Sequence, residues 1–557
     1  MTVKVTRQGR PAPMSTGAAA PTLWPLLALR LRRDRVQVPA WLLSLGAITL
    51  LAGLAVPASF GTLAERESLV QIAVGTPAIL MLRGEPRGPA ADALLFFSLF
   101  ANLAAAVAFM STFLAVRHSR AEEEAGRSEL IGATVASRVV PLLATVLFGA
   151  VASLAAGAAV AVALIAAGLD TTGALVTGAA LAGTGVAFLG VGVLTAQLMR
   201  TSRGANGLAA AVVGVAYVLR ATGDAGGTPA ADGLSLTSAW PSWLSPIGWG
   251  QHTRAFTENN LVPLLLQVAF AGLLVTVAVL LQSRRDTGSS VFAERSGRPA
   301  AGWLLRGSLG LAWRLQRAAI LGWAVTGLLF GLLAGSLGET VADLMEGNPV
   351  FKNLLVGLAG GRGAVIDLYT ATLFSLVGVI AAAAAIQSML RARQEEAAGV
   401  AEAMLSTSLG RIRWLFDYLF VGVAGIVLVV AAAVLGAAAG LISSDAAADR
   451  IGSVLKAGAA QLPAAVLLLA VAAVLVALLP RLSIGLSWAL LLASVVVGQF
   501  GDLLDLPQWL RDLSPFSHTP AVAAAEVDWS GAWWMPVLAV LLAAGAAVGI
   551  RHRDLAP

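Results

Sequence analysis

A chain of 557 residues that is 58% apolar and 12% charged, with a mean hydropathy of +0.82, cannot hide its apolar surface in water; an ordinary soluble protein carries roughly 25% charge. No cysteine is present, which excludes disulfides, thiolate metal sites and cysteine nucleophiles. The net charge of +6 comes from 34 arginines and three lysines against 31 acids, yet no basic stripe with interleaved aromatics marks a nucleic-acid surface.

In chain order, residues 1–37 begin with Lys4, Arg7 and Arg10 but no apolar core, the pattern of a short cytoplasmic tail and not of a cleavable signal. They end in a basic stretch, Arg30, Arg32, Arg33 and Arg35, expected to lie as an amphipathic helix at the inner membrane face. A helix needs roughly 20 apolar residues to cross the hydrocarbon core. Six such runs fill residues 38–281, at 38–58, 93–116, 139–165, 173–199, 205–220 and 261–281. Residues 69–82 are too short and interrupted to span and read as an outer interfacial segment. A cytoplasmic linker at 282–317 carries Arg284, Arg285, Arg295, Arg298, Arg306, Arg314 and Arg317 and a second amphipathic stretch. Six further runs fill 318–550, at 318–338, 366–389, 415–440, 459–479, 483–500 and 532–550, before a tail at 551–557. The fifth run of each half is the shortest. With twelve spans, Arg117, Arg120, Arg127, Arg138, Arg200, Arg203, Arg391, Arg393, Arg411, Arg413 and Arg481 collect on the side of the tails, which puts both termini in the cytoplasm. The expected fold is an all-α, multi-pass cell-membrane protein of about twelve transmembrane helices.

The two halves repeat. RAEEEAGRSE at 120–129 and RQEEAAGVAE at 393–402 align at a shift of 273 without insertion. Arg120 meets Arg393, Glu122 and Glu123 meet Glu395 and Glu396, Gly126 meets Gly399, Glu129 meets Glu402, and Arg138 meets Arg411. Leu244-Ser245-Pro246-Ile247 precedes the sixth span of the first half and Leu513-Ser514-Pro515-Phe516 that of the second; Arg32, Arg35 and Trp41 answer Arg314, Arg317 and Trp323. An even number of spans separates equivalent points, so two parallel six-helix units are expected.

The paired charged segments join the second and third spans of each half. As a plain charge run they would only satisfy the inside rule; duplicated at fixed spacing, they read as docking elements for a cytoplasmic partner present twice. No chemistry is encoded beside them. There is no GxxxxGK[ST] loop, and His118, His252, His518 and His552 share no metal-ligand spacing, reading as ordinary loop or interfacial histidines. No catalytic, cofactor or metal residues are expected, so the chain is not an enzyme and nucleotide hydrolysis has to come from another polypeptide. The spans hold almost no ionisable residue, Asp367 and Asp417 lying near helix ends, which disfavours an ion-gradient-driven secondary transporter or a channel. Interior Ser111, Thr112, Thr195, Gln197 and Gln387 suit an apolar or amphipathic cargo and equally suit hydrogen bonds between helices. Gly327, Gly331 and Gly335 are expected to let two helices pack closely. The outer loops at 220–260 and 501–531 carry Trp240, Trp243, Trp249 and Trp509 as interfacial anchors and permit a short re-entrant element at the Ser-Pro motifs.

The duplicated R-x-E-E-x-x-G-x-x-E segment resembles the coupling segment of fused type-2 ABC transporter permeases, the actinobacterial polyketide antibiotic and multidrug exporter family, and the resemblance covers essentially the whole chain. It implies a permease subunit served by two copies of a separately encoded ATPase, with ATP and Mg bound there. It places Arg120, Glu122, Glu123, Gly126 and Glu129, with Arg393, Glu395, Glu396, Gly399 and Glu402, at the ATPase-coupling interface. The second copy departs with Ala397 for Glu124 and Val400 for Arg127, so the two are not equivalent. The implied cargo is a hydrophobic drug, antibiotic or related small molecule moving outward through the membrane lipid; the same architecture serves export of a lipid or cell-wall precursor.

Overall fold

The computed structural model describes residues 20–59, 61–132, 139–284, 300, 302, 307–347, 361–442, 447–500, 506–520 and 529–553. Lys4, Arg7, Arg10, Arg138, Arg285, Arg295, Arg298 and Arg306 lie outside the described residues. The chain divides into two compact units, Met1–Ser296 and Gly297–Pro557.

In the first unit a basic helix, α1 (Ala20–Arg33), turns at 34–36 into α2 (Gln37–Ser59). Two short helices, α3 (Leu63–Gly75) and α4 (Pro77–Arg83), cover the segment read as interfacial. Then come α5 (Ala91–Arg117), α6 (Arg120–Glu124), α7 (Arg127–Gly132), α8 (Val140–Ala166), α9 (Thr171–Leu198) and α10 (Ser202–Ala225). A hairpin pairing Thr228–Pro229 with Leu236–Thr237 and a 3-10 turn at Trp240–Leu244 lead to α11 (Pro246–Gln251) and α12 (Val262–Arg284). The second unit runs α13 (Ser308–Gly347), α14 (Gly361–Ala397), α15 (Val400–Leu405), α16 (Arg411–Leu441), α17 (Ala447–Leu478), α18 (Ser483–Phe500), α19 (Gln508–Arg511), a 3-10 turn at Pro515–His518, and α20 (Trp534–His552).

Among the described residues eleven helices are long and apolar enough to cross a membrane, and Ser483–Gln499 is a shorter apolar helix. Helix is what lipid enforces, since a backbone without water must satisfy its own hydrogen bonds. Leu43, Leu51, Leu265, Val540 and Leu541 remain exposed on these helices, as lipid-facing side chains should. The ends are fixed by polar caps: Asp170 accepts from the Gly173 amide at the start of α9, and Thr201 from the Gly204 amide at the start of α10. α10 continues beyond the expected 205–220 because Arg220 and Asp224, one turn apart and both buried, form an ion pair at 3.1 Å.

Corresponding spans have corresponding neighbours in each unit. In the first, α2 lies on α8, α5 on α9, and α9 on α8 and α12. In the second, α13 lies on α16, α14 on α17, and α17 on α16 and α20. The α13–α16 contact is backbone on backbone. A Cβ at Gly327 would sit 2.6 Å from the Val429 carbonyl oxygen, and one at Gly331 or Gly335 would overlap the carbonyl of Ala433 or Ala437. Those three glycines thus have the packing role expected of them. The halves also differ: the turn at 34–36 has no counterpart, because the second basic stretch runs unbroken into its span as α13.

Candidate functional site

The two charged segments fold alike. Arg120 is fully buried at the start of α6, where its Nε donates to the Ala196 carbonyl near the end of α9 at 2.8 Å and its Nη1 to Glu123 at 2.7 Å. Arg393 repeats this in the second unit: its Nε donates to the Pro480 carbonyl just beyond α17 at 3.0 Å, and its Nη1 lies 3.5 Å from Glu396. Each arginine therefore pins its segment to the end of the fourth span. Gly126 and Gly399 follow in the left-handed region, with φ of +71° and +72°, where a side chain is strained. Each glycine starts a short helix, α7 or α15, whose first turn carries exposed Glu129 or Glu402, charges that the helix dipole favours.

The glutamate pairs diverge. Glu122 is partly exposed and takes two bonds from Arg127, at 2.7 and 3.1 Å, and an ion pair from Arg33 of α1. Glu395 is buried, held by Arg391 at 3.0 Å and by the Tyr418 hydroxyl. Glu396 is buried too and receives both terminal nitrogens of Arg553, at 2.7 and 2.8 Å. Glu124, replaced by Ala397 in the second copy, accepts from the Ser202 amide at 2.9 Å at the head of α10. Within their own units Arg120, Arg393, Glu395 and Glu396 are turned inward, and the exposed residues of each segment are 124–127 and Glu129, or Gln394, 397–400 and Glu402.

Sequence reasoning missed the supports. Asp34, buried in the turn after α1, forms an ion pair with Arg117 at 2.9 Å and lies 2.5 Å from His118 Nε2 at the end of α5. Arg30 donates to the Pro141 carbonyl at 2.7 Å, and burial pulls its guanidinium down to about 10. His118, read as an ordinary histidine, is thus part of the link between α1 and the first charged segment. No local pattern announces such pairs, because the partners are far apart in sequence.

At the opposite end of the first unit Glu85 is buried among Arg87 (3.1 and 3.2 Å), Arg254 (3.3 Å), Ser238 (2.6 Å) and His252 (3.5 Å). Burial works against its charge, but His252, Arg87 and Ser238 outweigh that and hold its carboxyl near 2. The Ser-Pro motifs behave as a pair. Ser245 donates to the Ala216 carbonyl of α10 and accepts from the Ile247 amide; Ser514 donates to the Ser494 carbonyl of α18 and accepts from the Phe516 amide. α11 is tucked against α9, α10, α12 and α5, where the sequence permitted a re-entrant element.

Of the interior polar residues, Ser111 joins two helices by meeting Ser153 at 3.1 Å, whereas Thr112 and Thr195 bond their own helices' carbonyls. Gln387 accepts from Trp323 at 2.5 Å on an exposed face. An apolar recess lined by Leu95, Phe96, Phe100, Leu103, Val160 and Thr177 has a cavity volume of about 10 Å³, far below the roughly 300 Å³ at which ligand pockets begin. Among the described residues no cluster of His, Asp and Glu could hold a metal ion.

A family model described as the C-terminal domain of the multidrug efflux system permease Rv1217c matches residues 305–551. The multidrug efflux system permease protein Rv1217c of Mycobacterium tuberculosis is 34% identical over 536 residues, which covers 95% of this chain and 94% of that protein.

Proposed function

The chain belongs to the family of the multidrug efflux permease Rv1217c, and from that premise we propose that it carries hydrophobic drugs, antibiotics or related small molecules outward as the permease subunit of an ATP-driven ABC exporter. Its twelve helices form two parallel six-helix units, 38–281 and 318–550, with both tails and the 282–317 linker in the cytoplasm. Two copies of a separately encoded ATPase, binding ATP and Mg, dock on the segments at 120–129 and 393–402. Arg120, Glu122 and Glu123, with Arg393, Glu395 and Glu396, shape those segments from within. Gly126, Glu129, Gly399 and Glu402 present the face that meets the ATPase.

The observation that carries this reading is the duplicated anchor: an arginine that ties each segment to the end of the fourth span. A pushed segment then moves a span and not merely a loop. The test is co-expression with a candidate ABC ATPase from the same genome. A complex of one permease and two ATPase chains, whose drug export in vesicles stops with ATP depletion and persists when the proton and sodium gradients are collapsed, is expected. Export that follows the gradients would make the chain an ion-coupled carrier.

A further inference from the structure

Glu396 is 3% exposed and sits between two arginines. Arg393 lies on one side at 3.5 Å, and Arg553, the residue after α20, meets it with two parallel bonds at 2.7 and 2.8 Å. The Arg553 carbonyl in turn accepts from Arg411, the first residue of α16, at 2.5 Å. One residue at the C-terminal end of the last span thus joins that span to the end of α14 and the start of α16. A planar guanidinium bonded through both terminal nitrogens fixes orientation as well as distance, which a single ammonium contact does not.

The first unit differs at the matching position. Aligning the Ser-Pro motifs puts Arg284 at the position of Arg553, and Arg284 is exposed at the end of α12. The first segment takes supports from α1, through Arg33 to Glu122 and Asp34 to His118. Aligning the basic stretches puts Leu315 and Gln316 where Arg33 and Asp34 stand, so the second unit has neither the cation nor the acid needed for that arrangement.

We propose that Arg553 is the positioning residue of the second coupling segment, so that the N-terminal end of the chain holds one segment and the C-terminal end holds the other. The proposal rests on the coupling role given to residues 393–402 above. Movement of the second segment is thereby shared with the sixth span, whereas movement of the first is shared with the amphipathic helix.

The test uses the full chain with its ATPase in lipid nanodiscs. Hydrogen exchange in Arg553→Ala is expected to rise about threefold or more at 396–405 and to stay unchanged at 120–132. Arg553→Lys, which keeps the charge without the fork, should fall between. Glu396→Gln should give the same pattern, and the double variant should be no worse than either single change. Unchanged protection at 396–405, an equal rise in both segments, or additive effects would overturn the proposal. The coupling arm is ATP hydrolysis stimulated by ethidium, a fluorescent apolar cation, relative to the basal rate. Arg553→Ala should lose the stimulation and Arg553→Lys recover part of it. Glu402→Arg separates the two ideas. If Glu402→Arg loses stimulation while Arg553→Ala keeps it, Arg553 is not the positioning residue and the coupling reading stands. If Glu402→Arg keeps it, the coupling role of the segment fails, whatever Arg553 does.

Discussion

Arg120 and Glu129 belong to one charged segment yet face opposite ways, and their substitutions should part accordingly. Arg120 is buried, and its loss leaves the Ala196 carbonyl and Glu123 short of a partner. Arg120→Ala is therefore expected to cost about 1–3 kcal/mol, the usual result of leaving buried hydrogen-bonding groups unmatched, read as a fall in the thermal midpoint of the purified permease. Glu129→Ala, on the exposed face, should stay within about 0.5 kcal/mol while weakening the response to the ATPase. Glu85 gives a pH signature in the same measurement. Its carboxyl is held near 2 against an ordinary 4.5, so its stabilisation is fully present above pH 4.5 and is lost as pH falls toward 2. The swing is on the order of 3 kcal/mol, and Glu85→Gln should abolish that part of the pH dependence.

Helix pairs raise a different question, because lipid offers no hydrophobic drive for two spans to associate and close contact has to supply it. Gly331→Leu should force α13 off the Ala433 carbonyl at an overpacking cost of about 1–3 kcal/mol, whereas Gly322→Leu, with no atom within 4 Å of its new Cβ, should leave the midpoint unchanged. A chemical-denaturation series in detergent distinguishes them. At this scale the sequence was most informative where periodic or apolar runs carry the physics: the long spans and the glycine stripe are local patterns. It was least informative where a helix end is set by a distant partner. α10 outlasts its apolar run because Arg220 pairs with Asp224 and donates to the Met81 carbonyl at 2.9 Å, and the break after α1 accompanies Asp34 reaching His118. The duplicated glutamates were legible as a motif, but their orientation was not. Glu396 faces Arg553 across a separation of 157 positions, which no local pattern reports.

For the molecule as a whole, sidedness is the first consequence to check, and the absence of cysteine makes it simple. Asp232→Cys and Ala398→Cys place single thiols at exposed positions in the loop after α10 and in the second charged segment. In intact cells a membrane-impermeant maleimide should label the first at once and the second only after permeabilisation; the reverse order would invert the topology. Transport itself turns on whether the two segments pass the ATPase cycle to the spans. The decisive measurement is ATP hydrolysis by the assembled complex in nanodiscs across a panel of hydrophobic antibiotics, comparing the unaltered chain with Glu129→Arg/Glu402→Arg. Stimulation by some of the compounds, lost in the double variant while the complex stays assembled, is the expected result. A folded permease that binds the ATPase and is stimulated equally with and without those charges would contradict coupling through the repeated segments.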